Sequence, residues 1–268
     1  METLNPSQPN ARLRYEYDRG TGYETELRLT EALAALVPGD ELVHQDHRLF
    51  QLVHLITEYA WVGIHDAMCI LDTALAKDDL VGATRALSRG AALAGLPVTC
   101  VRLLTDSLPQ ETFLQLRAMF AEGASGLDSP GARGMRKAGL AVWDSFESTL
   151  AAHGVSLDDL AEASASGFTG EPRLALLADV MLHMYRFDAR ILEWKQVHLG
   201  LVWQMLGGHP ATGDTPPAAE DRPRSMRGRP ISDLERLAVR PLFPKLWQHS
   251  TERYRVAAGG AGLAYRAS

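Results

Sequence analysis

The chain has 268 residues and 29.3 kDa, is 46% hydrophobic and 22% charged, and carries a formal net charge of -6. That composition excludes a disordered or collagen-like chain and supplies enough apolar side chains for a real core, in one large domain or two small ones. Acidic residues outnumber basic ones, 33 to 27, so nucleic acid and anionic membrane are poor partners, because binding by counterion release requires a basic excess.

Residues 1–20 lack the basic-then-apolar pattern of a signal peptide, and no run approaches the ~18 apolar residues that span a bilayer. They read as an N-terminal arm of a cytoplasmic protein. Short β-branched runs bounded by turn residues are nearly absent, so the fold class is all-α. The clearest helix covers about 41–76, where Phe50, Val53, His54, Thr57, Trp61 and Ile64 recur at helical spacing. A second covers about 80–94. A third covers about 110–121, entered through Asp106-Ser107-Leu108-Pro109. The stretch GASGLDSPGARG that follows is too rich in Gly and Ser for a helix interior and reads as a loop.

Helical patterning resumes over 135–153, a short helix opens at Ser156, and 172–206 forms either one long helix or two with a break near Arg186. Residues 207–230 are dense in Pro and Gly and have no regular structure. One further helix runs from 231 to about 255, and 256–268 reads as a flexible tail. No repeat and no stronger boundary appears, so 1–268 reads as a single helical domain. The two cysteines, Cys69 and Cys100, lie far apart in apolar context, which suits buried thiols rather than a disulfide framework.

Three residues stand where chemistry is plausible. His198 shares a helix face with Trp194, Leu201, Val202 and Met205, and His54 follows Phe50 by one turn on an otherwise apolar helix. Each reads either as a core histidine bonded to a neighbouring carbonyl or as a ligand, since an unpartnered imidazole among apolar side chains is costly. Arg117 lies among Phe113 and Phe120, which suits a guanidinium whose carboxylate arrives with a ligand, or else an internal ion pair or a snorkelling side chain. Two apolar-face histidines on different long helices permit a heme with one histidine on iron and the other across the porphyrin. A non-heme metal lacks the His-x-x-x-His or Glu-x-x-His spacing on an inward face. His44 and His47, near the polar start of their helix, read as solvated.

Six segments in order give the chain a resemblance to a known family. GYETELRL (22–29) is similar to an N-terminal Tyr-x-x-Tyr-Leu-x-Leu motif, keeping Tyr23. DHRLFQLVHLITEYAW (46–61) is similar to Asp-Glu-x-x-Phe-x-x-x-His-Gln-x-x-Glu-Leu-Trp, matching Phe50 and His54. FLQLRAMFAEGASGLDS (113–129) matches Phe113, Arg117, Ser125 and Gly126 of an Arg helix followed by a Gly-Ser-Gly-Phe-Gln-Ser loop. RFDARILEWKQVHLGLVWQMLGG (186–208) matches Asp188, Trp194 and His198 of a helix bearing a ligand histidine. HPATGDT resembles a reduced Gly-Thr-Gly-Gly-Ser-Ser-Gly loop with Thr212 and Gly213 kept, and LFPKLW (242–247) resembles Phe-Pro-Glu-Leu-Trp. Together these resemble the tryptophan 2,3-dioxygenase superfamily over most of residues 22–250.

The resemblance implies heme b with His198 as its axial iron ligand, the other ring nitrogen donating to a second acceptor, and Trp194 and Gly126 beside the cofactor. It implies that His54 acts on the substrate ring's N–H or O–H, that Arg117 clamps the substrate carboxylate, and that Thr212, Ser125 and Tyr23 also touch substrate. Phe50 and Phe113 would wall the ring, and 207–230 would be an active-site lid. The implied activity is oxygen insertion from O2, or from H2O2, into the ring of an aromatic L-amino acid, tryptophan or a derivative, by a homotetramer or dimer. Asp214, Thr215-Pro216-Pro217, Leu127 and Asp128 depart from the family pattern where substrate is held, which leaves the ring open, and Val202 stands where one branch attaches heme through Cys. A tyrosine-type ring hydroxylase and a non-catalytic heme sensor are the alternatives, and a helical interaction module without cofactor is the plainest one.

Overall fold

A computed structural model describes residues 2–120, 125–167, 170–210 and 223–260. The described chain is helical as expected, with one two-stranded ribbon, Glu2–Thr3 against Glu16–Tyr17 in antiparallel register. Two short helices follow, α1 (Gly22–Leu27) and α2 (Leu29–Leu33), and neither has a buried residue. The body is built from α3 (His47–Ala76), α4 (Leu80–Ser107), α5 (Gln110–Met119), α6 (Pro130–His153), α7 (Leu157–Ala165) and α8 (Pro172–Leu206). It is closed by α9 (Ile231–Ala238) and α10 (Pro244–Gly260). α3 packs on α4 and α6, while α8 packs on α4, α7, α5 and α9.

α3 is helical because its buried residues, among them Val53, Ala60, Trp61, Ile64, Met68 and Leu71, recur at spacings of three, four and seven. It stops at a tight turn in which Asp78 adopts a left-handed φ of 57°, and Asp79 then caps α4 by accepting from the Gly82 amide at 2.8 Å. α4 continues to Ser107, thirteen residues beyond the expected end at Ala94. Pro97 removes an amide inside it, a cost of about 3 kcal/mol, but Val98, Val101 and Leu104 are buried along the same face. α4 is also long and apolar enough to cross a membrane by length and composition, with 44% of its most apolar window buried within the fold. Part of the expected Gly/Ser loop is helical too. Ser129 caps α6 and Pro130 opens it, and Gly131 and Gly134 lie inside because Trp61 and His65 press on them where a Cβ would stand.

α8 runs unbroken for 35 residues, roughly 50 Å at 1.5 Å per residue, with Met184, Phe187, Asp188 and Ile191 buried across the suggested break. The expected final helix is two helices, because Pro241 and Pro244 interrupt it and the amides between them bond elsewhere. Asp188, fully buried, accepts from Leu242 N–H at 2.8 Å, from Phe243 N–H at 3.0 Å and from the Trp247 indole N–H at 3.0 Å. α10 reaches Gly260, past the expected start of a flexible tail at 256. Cys100 is buried, but Cys69 is exposed, because it falls on the outward face of α3.

Asp188→Ala should destabilise the protein by about 3–5 kcal/mol, because two buried amides and the half-buried Trp247 indole each lose a partner, worth about 1–3 kcal/mol where the donor is buried. Urea denaturation measures this, and a loss under ~1 kcal/mol would show that the buried carboxylate does not hold α10 in place.

Candidate functional site

The site begins on one face of α3, where Phe50, His54 and Glu58 follow at one-turn intervals. They line a cavity of about 250 Å³ together with His47, Gln51, Leu55 and Phe120. Phe50 is the hub of its aromatic wall. Its ring lies 4.2 Å from that of His54, 5.2 Å from Phe120 and 6.4 Å from Phe113. His47 faces Phe120 at 5.9 Å, so it belongs to the cavity wall rather than to the solvated helix start expected of it.

The histidine pair is defined by what each ring lacks. His54 Nδ1 lies 2.7 Å from the Phe50 carbonyl, and a carbonyl only accepts, so Nδ1 carries the proton and Nε2 keeps a lone pair. Burial holds the His54 pKa below the usual value, opposed by the Phe50 hydrogen bond and by the nearby charge of Glu58. Its ring nevertheless stays open to the cavity side. On α8, burial pushes the His198 pKa down to about 4, with the proximity of His54 adding to the effect. The two imidazoles are therefore electrostatic neighbours brought together by different helices. Neither ring nitrogen of His198 has a hydrogen-bond partner among the described residues. The acceptor expected behind it is not found there, and the ring instead stacks on Trp194, 5.7 Å between centroids and 26° between planes.

Arg117 lies one turn beyond Phe113 on α5 and is not among the residues that line the cavity. Its Nη2 donates to the Arg224 carbonyl at 2.6 Å. Residues 223–230 form a turn rather than irregular chain: Arg224 bridges to Pro230, and Ser225 N–H donates to the Arg229 carbonyl at 2.8 Å. Arg227 ties that turn to Asp128 at 2.5 Å. Ser125 and Gly126 occupy the turn before α6, their carbonyls accepting from the Asp128 and Ser129 amides. Tyr23 is not brought to the site: it is 71% exposed on α1, whose packing is against α2. Thr212, with Gly213, Asp214 and Thr215-Pro216-Pro217, lies outside the described residues.

Sequence reasoning passed over Glu58, Gln51 and His47 as site residues, although they share a helical face with His54 and the period alone could have grouped them. The donor chemistry fits a heme. A porphyrin asks the protein for one axial donor, and His198 offers a neutral, unpartnered imidazole on an apolar face. Among the described residues no group of three or more His, Cys, Asp or Glu is placed to hold a metal ion. The cavity is smaller than the roughly 300–1,000 Å³ usual for ligand pockets and His198 is not part of its lining, so α3 and α8 would have to part for a macrocycle. No protein-family model matches the chain, and no curated protein matches it.

A His198 pKa of about 4 against 6.5 when unburied means that the unfolded chain binds more protons between those values. Apoprotein stability should therefore fall as pH drops from about 6.5 toward 4, and His198→Gln should flatten that slope. Denaturation midpoints across that range test the sign; an identical slope in His198→Gln would remove His198 as its source.

Proposed function

We propose that this protein is a histidine-ligated, heme-dependent oxygenase that inserts oxygen from O2 into the aromatic ring of an L-amino acid, tryptophan or a tryptophan derivative. The observation that carries the reading is the pairing of His198, held neutral and without a hydrogen-bond partner among the described residues, with His54, which lines the cavity while its Nδ1 is tied to the Phe50 carbonyl. A metal-ligating imidazole must be neutral, and His198 remains so far below physiological pH. Heme bound through His198 would supply the activation of dioxygen.

The chain's own groups do the rest. His54 Nε2 accepts a hydrogen bond, or the proton, from the ring N–H or O–H of the substrate, while its Nδ1–H stays anchored to the Phe50 carbonyl. The carboxylate of Glu58, one turn away, favours the imidazolium once that proton has moved. Phe50, Phe113 and Phe120 exclude water and fix the plane of the ring. Arg117 takes the amino-acid carboxylate in place of the Arg224 carbonyl, exchanging a neutral acceptor for a charged, bidentate one. That exchange couples substrate binding to the 223–230 turn. The family resemblance assigns Thr212 to the same head group, and Tyr23, exposed on α1, would serve a pocket on another copy of the chain, in keeping with the homo-oligomer that the resemblance implies.

Hemin titration of the purified protein and two variants tests the assignment. His198→Ala should lose axial ligation and bind hemin at least tenfold more weakly, whereas Arg117→Ala should bind hemin as wild type but show an L-tryptophan affinity about 10–100-fold lower, about 1.4–3 kcal/mol for a charge-assisted contact. Unchanged hemin spectra in His198→Ala would overturn the ligand assignment.

A further inference from the structure

Among the described residues His198 has no hydrogen bond to fix the plane of its ring, and a metal-ligating histidine normally owes its orientation to such a bond. We infer that a packing relay takes its place: Gly131 of α6 seats Trp61 of α3, Trp61 sets Trp194 of α8, and Trp194 sets the plane of the His198 imidazole. The inference rests on the reading of His198 as an axial ligand and names the residues that position it.

Each link is a contact. Trp194 stacks on His198 at 26°, and Trp61 meets Trp194 edge to face at 4.8 Å and 80°, a favoured geometry for two aromatic rings. A Cβ at position 131 would stand 2.2 Å from Trp61 Cβ and 2.6 Å from its Cγ. The close atoms sit at the root of the side chain, so rotation of the indole alone does not relieve the clash. Trp61 is 1% exposed and its indole N–H is buried without an acceptor. A ring placed to satisfy its N–H would not rest there, so packing between Gly131 and Trp194 decides its position. The relay joins α6 to α8 through α3 and thereby makes the ligand's orientation depend on how α6 packs.

Trp194 and Trp61 are therefore positioning residues, and the test has two arms. In the apoprotein, the ring protons of His198, assigned by NMR with His198→Gln as reference, should show an upfield ring-current shift that disappears in Trp194→Leu, is largely kept in Trp194→Phe, and changes in Gly131→Ala. In the second arm, Trp194→Leu and Gly131→Ala should bind hemin about 10–100-fold more weakly, the usual effect of removing the group that orients a ligating histidine, with Trp194→Phe within a few-fold of wild type. Should Gly131→Ala fail to fold, Trp61→Phe keeps the core filled and shortens the reach to Trp194, and it should move the His198 resonances in the same way. Identical His198 resonances in wild type and Trp194→Leu, or unaltered hemin affinity in Trp194→Leu, would overturn the relay. Failure of the wild type to bind hemin would overturn the heme reading instead, and the apoprotein resonances would still decide whether Trp194 orients His198.

Discussion

The placement of the site depends on a carboxylate buried in the middle of the longest helix. Asp188 is sealed from solvent and satisfied by two backbone amides and one indole N–H from the segment Leu242–Trp247. Burying a charge is tolerated only when its oxygens are satisfied in this way. Because the partners are spread over the break between α9 and α10, Asp188 fixes the register of α8 against the closing helices. His198 lies ten residues further along the same rigid helix, roughly 15 Å away at 1.5 Å per residue. Any slip of α8 would turn Trp194 and His198 off the face shared with α3.

With α8 pinned, the polar groups of the interior fall into two kinds. Asp188, and the Tyr185 hydroxyl that donates to the Leu246 carbonyl at 2.5 Å, are satisfied and structural. Among the described residues the indole N–H groups of Trp61 and Trp143 are buried without an acceptor, and such groups cost stability; His198 has no hydrogen-bond partner there either. Trp61 and His198 meet through Trp194, which touches both rings.

The long amphipathic segments were legible because burial on one face leaves a period of three to four, which a sequence displays directly. His54 with Phe50, Phe113 with Arg117, and Trp194 with His198 could be grouped for the same reason, each pair being one turn apart. The continuation of α4 through Pro97 and of α6 over Gly131 and Gly134 was not legible. In both places tertiary packing outweighs local propensity, and the close approach of Trp61 to Gly131 joins residues seventy apart in sequence. The split between α9 and α10 was marked by Pro241 and Pro244, but its cause, the amides taken by Asp188, is a long-range contact. Likewise the stacking of Trp194 on His198 follows from helical spacing, whereas the loss of a hydrogen-bond acceptor behind His198 does not.

The most direct test of the account is the absorption spectrum of hemin-loaded wild-type protein titrated with L-tryptophan and then with L-tyrosine, before and after reduction in air. The account predicts a histidine-ligated Soret band that shifts with an aromatic amino acid, L-tryptophan above L-tyrosine, followed by an oxygenated product. No Soret band from bound hemin, or a band indifferent to both amino acids with no product formed, would contradict it.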